Sequence, residues 1–367
     1  MPEKHKIGFF NTYNLVVPLL EDLVINLNKS GFEANAYVLS KDTDKDLQHF
    51  YFLGKSKKSK FYDSIIYCFL SIKKLLTNKF DTVVFFTHPP LSFLIYSLFK
   101  TKKTVFILHV MDVYPNMLFE LGYFSKFKFL KDFLKQISNN RLKKFDKIVV
   151  IGVDMKELFI KKGFPENKIS ILRNYSGYKS KNNKNKTNNF KITYSGNMGV
   201  PHYFDTIIKI IIKLKENKNF EFHFIGSGKR KHELIEAKNN NNLTNLTIHN
   251  RLNDNDFKSI VGSSNLHFIS LRQNFKGISV PSKFYTSISM EIPVLYEGPE
   301  NSEIFNYLRR NSDLGKSFIN DNLLGIMNFI LKEQETKFKK EFHGGSKINQ
   351  QLKTESLLIY KKIIKNE

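Results

Sequence analysis

Short apolar runs rich in Val, Ile and Phe alternate along the whole chain with longer segments of helical period, and this rhythm restricts the fold more than any other feature. Alternation of that kind marks βαβ units and parallel sheets. The first half places strands near Lys6 to Phe10, Glu33 to Leu39, Thr82 to Phe86, Thr104 to Val110, Lys147 to Ile151 and Lys168 to Leu172. The second half repeats the pattern near Phe190 to Tyr194, Phe220 to Ile225, Leu246 to His249, Leu266 to Leu271 and Pro293 to Tyr296. Between the halves runs GYKSKNNKNKTNN, Gly177 to Asn189, polar and without apolar periodicity, which reads as a linker. At about 150 residues per domain, 367 residues suit two domains. The predicted fold is α/β, with two Rossmann-like, doubly wound domains over 1–176 and 190–345 and a C-terminal helix over 346–367 that could cross back to the first domain. In such sheets ligands sit at the carboxyl ends of the strands, so a cleft between the domains is the expected site.

The charge narrows the choice of partner. Lys and Arg number 58 against 34 Asp and Glu, a net +24, which favours anionic partners. Only seven of the 58 are arginine, the residue on which direct base readout leans, so an anionic lipid surface is the better expectation and nucleic acid is not expected. Asn, Ile and Phe are also abundant, and the codon bias of an A+T-rich genome accounts for part of the lysine excess. The single cysteine, Cys68, rules out an internal disulfide and any cysteine-built metal site. The apolar run after the N-terminus is broken by Asn11, Thr12 and Asn14, too early for a signal peptide, and no apolar stretch approaches the ~20 residues of a spanning helix.

Three segments carry chemistry. YSGNMG, Tyr194 to Gly199, leaves a strand and leads to a helix expected near Pro201; its glycines, Gly196 among them, allow close approach of a ligand, and the helix start could hold a phosphate. A tight turn that merely needs glycine is the competing reading. Gly226, Ser227 and Gly228 form a second such turn, followed by Lys229, Arg230 and Lys231 at a helix start, where cations oppose the helix dipole unless an anion lies between them. The third runs ISLRQNFKGISVPSKFYTSISMEIPVLYEGPENSE from Ile269 to Glu303: Arg272 and a loop with Gly277 precede Pro281 at an expected helix start, with Ser282 and Lys283 in its first turn.

Taken together, YSGNMG, FHFIGSG, LRQNFKGISVPSKFY and IPVLYEGPENSEI resemble the donor-binding domain of family 4 retaining glycosyltransferases of the GT-B fold, and within them the fucosaminyltransferase-like branch from bacterial surface-polysaccharide loci. FFTHPPLSFL, LHVMDVYPNM and FDKIVVIGVDMKELFIKKGFPENKISILRNY of the first half match that branch in order. The resemblance implies transfer of a sugar, with retention, from a nucleotide-linked donor, UDP being the expected nucleotide, to a polyprenyl-diphosphate-linked saccharide acceptor, without cofactor or metal. It implies a cytoplasmic enzyme peripheral on the inner face of the membrane. The donor would be held by Gly196, Asn197, Gly226, Lys229, Arg230, Arg272, Gly277, Ile278, Ser279, Ser282 and Lys283. Departures from the family are visible. Its diphosphate-binding Arg and Lys fall at Asn197 and His202, its paired glutamates fall at Ile278 and Thr286, and the loop Asn11 to Asn14 carries no glycine. Asp112 and His88 lie where strands end and are the candidates for catalysis, Asp112 the better one for contacting the acceptor hydroxyl; a loop-capping Asp beside Pro115 is the alternative. His109 alternates within a strand and reads as a core residue. A UDP-sugar 2-epimerase of the same fold and a non-catalytic basic binding protein remain as other readings.

Tyr123 to Ile137, YFSKFKFLKDFLKQI, has Phe124, Phe127, Leu130, Phe133, Leu134 and Ile137 at helical spacing and Lys126, Lys128, Lys131 and Lys135 on other faces, a basic amphipathic helix. Its apolar stripe is expected to pack on the sheet and its lysines to face a membrane. Phe61 to Leu76 is similar.

Overall fold

The computed structural model describes residues 3–12, 17–40, 47–56, 59–179, 189–336 and 344–365. Most of the expected linker, 180–188, lies outside these, as do Tyr13 and Asn14 of the first loop. The chain divides into two units: Met1–Asn174, Gly277–Val280 and Leu352–Glu367 form the first, Tyr175–Lys276 and Pro281–Gln351 the second.

In the first unit β1 (Lys6–Phe10), α1 (Val17–Lys29), β2 (Glu33–Ser40), β3 (Phe50–Lys55), α2 (Lys60–Thr77), β4 (Thr82–Phe86), α3 (Ser92–Tyr96), β5 (Val105–Val110), α4 (Asn116–Glu120), α5 (Lys128–Leu142), β6 (Lys147–Val150), α6 (Val153–Lys161) and β7 (Ile169–Ile171) follow one another. The strands make one sheet in the order β3-β2-β1-β4-β5-β6-β7, parallel throughout. TVVFF of β4 is buried at every position, as expected of an inner strand of a parallel sheet covered on both faces. His109 of β5 is fully buried, stacked on Phe86, with Nδ1 2.6 Å from the hydroxyl of Tyr360. Burial holds its pKa down at about 3, so it is neutral, the core histidine that its alternation predicts.

The second unit contains β8 (Phe190–Ser195), α7 (Asp205–Lys213), β9 (Phe220–Ile225), α8 (Lys231–Asn241), β10 (Leu246–His249), α9 (Asp254–Gly262), β11 (Leu266–Ser270), α10 (Lys283–Ser289), β12 (Val294–Glu297), α11 (Glu303–Arg310), β13 (Gly315–Phe318) and α12 (Leu323–Glu335). Its six parallel strands run β10-β9-β8-β11-β12-β13. The last helix, α13 (Gly345–Lys365), gives its first residues to the second unit and those from Leu352 to the first. In each sheet the order reverses once, between β1 and β4 and between β8 and β11, and the crevice at the carboxyl end of such a point is where doubly wound sheets bind ligands.

Two expectations change. Strands β3 and β13 go unread in the sequence. The segment Tyr123 to Ile137 becomes helical only from Lys128, and its apolar stripe is not core: Phe129 is 83% exposed, Phe127, Leu130 and Phe133 are exposed too, and only Ser138 and Leu142 of α5 are buried. On α2, Phe61 is 78% exposed, with Ile65, Phe69 and Leu76 also outward. Among the described residues no helix is long and apolar enough to cross a membrane.

Candidate active site

The strand β8 ends in a loop, Gly196 to Phe204, laid against the turn after β9. Met198 N–H donates to the Ser227 carbonyl at 2.8 Å and Arg230 N–H to the Met198 carbonyl at 2.9 Å. Gly226 and Gly228 both have positive φ, and a Cβ on either would run into the carbonyl of Gly196 or Met198. These glycines are needed so that two backbones can touch.

Lys283, first residue of α10, reaches that loop. Its ammonium donates to the Tyr194 hydroxyl at 2.5 Å and lies 3.9 Å from the centre of the Tyr194 ring, with His202 Nε2 at 3.3 Å. His202 Nδ1 is 2.7 Å from the Ser270 carbonyl, which can only accept, so the ring proton sits on Nδ1 and Nε2 presents a lone pair to the lysine. The Tyr194 hydroxyl spends its own proton on the Asn197 carbonyl at 2.7 Å. Lys283 thus has two neutral acceptors and, among the described residues, no carboxylate. Burial of the amine holds its pKa well below the ordinary lysine value, and burial together with the charge of Lys283 holds His202 well below its own. Gly196 leaves the space in front of the amine open: a Cβ there would sit 3.8 Å from Nζ.

Arg272 is a second cation that pairs with no carboxylate among the described residues. Its backbone N–H donates to the Pro201 carbonyl at 2.7 Å, so it leaves β11 beside the same loop, and its Nε is buried without an acceptor. Asn197 and Ser282 are exposed at this loop and at the start of α10, and Lys229 is exposed on the β9 turn. Pro281 lies two residues ahead of α10 instead of opening it.

Arg230 does not serve as a free cation. Its Nε and Nη2 donate to the two carboxylate oxygens of Glu233 at 2.6 Å each, Nη2 also meets Asp205 at 2.9 Å, and Nη1 meets the His202 carbonyl. The dipole conflict at the start of α8 is thus settled by two carboxylates within the fold. Gly277, Ile278 and Ser279 also depart from their expected place. They belong to the first unit: Gly277 N–H donates to Asp154 Oδ2 at 3.1 Å, the Ile278 carbonyl accepts from Val113 N–H at 2.9 Å, and Ser279 bridges Asp112.

Asp112 and His88 follow β5 and β4, whose ends are tied by the Thr87 hydroxyl accepting from Met111 N–H at 3.0 Å. Burial raises the Asp112 pKa; a hydrogen bond from Ser279 and the nearby His88 oppose the rise. Asp112 also helps to raise Tyr114, which burial pushes up most. Among the described residues no group of three or more His, Cys, Asp or Glu is placed to hold a metal ion.

Under the loop of the second unit lies Glu297, at the end of β12 and fully buried. Its Oε1 accepts from Thr206 at 2.6 Å and from Asp321 N–H at 3.0 Å, while Oε2 has no partner among the described residues. Burial raises its pKa to about 7, the two hydrogen bonds opposing and Asp321 and Asp205 adding to the rise. A carboxyl whose folded pKa exceeds its unfolded one stabilises the fold fully below the unfolded value, and that contribution is lost as pH rises through the folded value. The loss between pH 4.5 and about 7 amounts to roughly 3 kcal/mol at 1.36 kcal/mol per unit. Urea titrations should show this decline in the native protein and not in Glu297→Gln; parallel declines would mean that the carboxyl titrates normally.

The fold of the chain has counterparts in known proteins. The model aligns with the structure of Anabaena HepE in complex with UDP and glucose at a TM-score of 0.71, covering 98% of this chain and 99% of that one at 11% identity. It aligns with WaaG, a glycosyltransferase involved in lipopolysaccharide biosynthesis, at 0.66 over 98% and 99% and 12% identity. The fold is that of the GT-B glycosyltransferases. No protein-family model matches the chain. In sequence, the Pseudomonas aeruginosa protein named "Probable glycosyltransferase WbjE" is 23% identical over 238 residues, 61% of this chain and 59% of that protein. Lys283 and Arg272 both stand in the second unit.

Sequence reasoning missed Tyr194, Glu297 and the part His202 plays. Tyr194 was open to notice, since it stands directly before the glycine loop and its spacing makes it inward-facing. The approach of α10 to β8 leaves no local mark.

Proposed function

We propose that this chain is a retaining glycosyltransferase of the fucosaminyltransferase-like branch of family 4, moving a sugar from a UDP-linked donor to a polyprenyl-diphosphate-linked saccharide in surface-polysaccharide assembly. The observation that carries this reading is the Lys283 ammonium, held by Tyr194 and His202, facing an open glycine and, among the described residues, without a carboxylate. When the bond between the anomeric carbon and the donor phosphate breaks, negative charge collects on the departing diphosphate. Fixed cations stabilise that charge without reorganising, and Lys283 and Arg272 are so placed on the second unit. The new bond forms from the anomeric carbon to an acceptor hydroxyl oxygen, whose proton passes to the departing phosphate oxygen, and Asp112 is the candidate for contacting that hydroxyl. The names of WaaG and WbjE support the reaction class, and the UDP and glucose bound to HepE support a nucleotide-sugar donor.

Incubation with a panel of nucleotide sugars in the presence of EDTA should release nucleotide diphosphate slowly from one of them, since protein cations supply the charge that a metal would otherwise bring. An altered nucleotide sugar without hydrolysis would point to an epimerase, and no turnover of any donor would point to a binding protein.

The membrane part of the reading rests on α5 and α2. Large aromatic side chains exposed on a helix that also carries lysines suit the interface of an anionic leaflet, where each lysine near the surface contributes about 1 kcal/mol. Replacing Lys126, Lys128, Lys131 and Lys135 by Gln should cut sedimentation with anionic vesicles at low salt, and added salt should do the same to the native protein. Full binding by the variant would place the basic surface elsewhere.

A further inference from the structure

Helices α4, α5 and α6 of the first unit bring together a group of lysines that the site above does not use. Lys162, one residue past α6, donates from Nζ to Asn116 Oδ1 of α4 at 2.6 Å and lies 5.6 Å from the centre of the Phe159 ring. Lys131 of α5 lies 5.1 Å from the centre of the Phe119 ring of α4, and Lys135 stands one turn further along α5. Among the described residues none of the three pairs with a carboxylate. Lys162 is half-buried, and its pKa is held down at about 8 by burial and by the charge of Lys135. Like charges gathered around a neutral amide are costly unless an anion joins them. Asn116 lies four residues beyond Asp112 on the same connection. The helix that supplies two of the lysines also exposes Phe127, Phe129 and Phe133.

We propose that Lys131, Lys135 and Lys162, with Asn116 orienting Lys162, bind the diphosphate of a lipid-borne acceptor whose apolar chain lies along the exposed aromatic side of α5. The cations match a compact, multiply charged group, and the neighbouring aromatics match a ligand that is apolar beyond it. That the ligand is an acceptor rests on the transferase reading; that the cluster takes a lipid diphosphate does not.

The test is calorimetric titration of the full chain, with UDP in excess to occupy the second unit, using farnesyl diphosphate, inorganic diphosphate and farnesol as probes. Farnesyl diphosphate should bind more tightly than either of the other two. Its affinity should fall about tenfold in Lys162→Gln and several-fold in Lys135→Gln, and stay within about threefold in Lys162→Arg, which keeps the charge. The native affinity should weaken as pH rises through 8. Unchanged affinity in Lys162→Gln, or farnesol binding as well as its diphosphate, would overturn the proposal. If inorganic diphosphate binds as tightly as the farnesyl compound, the site serves free phosphates and the lipid assignment fails. Should Lys162→Gln fail to fold by circular dichroism, the exposed Lys135→Gln decides. Donor hydrolysis by the native protein, measured alongside, reports separately on the transferase reading.

Discussion

Lys283→Ala should weaken UDP binding by roughly 1 to 3 kcal/mol, the range for a lost charge-assisted hydrogen bond, or about five- to 150-fold. The effect should be large because Arg230, the arginine packed against the same loop, is committed to Glu233 and Asp205. The same geometry adds a proton signature. Burial lowers the Lys283 pKa in the free protein, while a bound diphosphate favours the ammonium, so native binding should be coupled to proton uptake. Calorimetry in two buffers of different ionisation enthalpy should show that uptake in the native protein and not in the variant. Lys283→Met keeps the stem and controls for packing. Unchanged UDP affinity in both variants would remove Lys283 from the donor site.

Asp112→Asn should reduce transfer to the acceptor by about 10²- to 10⁴-fold, the usual contribution of a group positioned on a proton in flight. UDP affinity should change little, because Lys283 and Arg272 belong to the other unit. The substitution preserves size and can still accept from Ser279, so loss of transfer would report on charge at Asp112 instead of on the bridge between 112 and 279. Transfer at the native rate would leave Asp112 as a residue that merely shapes the loop before Pro115.

The strands were legible because a parallel sheet covered on both faces demands continuous apolar runs, and TVVFF or KIVV can hardly be anything else. Strand β3, FYFLGK, escaped because it lies at an edge and shows a mixed burial pattern. GKSF of β13 escaped because four residues with one buried apolar side chain carry no period. For α5 the amphipathic period was real, but periodicity reports that a face is apolar and not what covers it.

Two wound sheets, glycine turns after β8 and β9, and a surplus of cations near them follow from residue order alone, because local periodicity, backbone freedom and charge count are local properties. Which cations stay available is not local. Lys229, Arg230, Arg272 and Lys283 look alike in sequence, yet Arg230 meets carboxylates from α7 and α8, whereas Lys283 meets a phenol and an imidazole and Arg272 keeps a buried Nε unanswered. Only the packing of α7, α8 and α10 around one loop separates a neutralised cation from one left waiting for an anion.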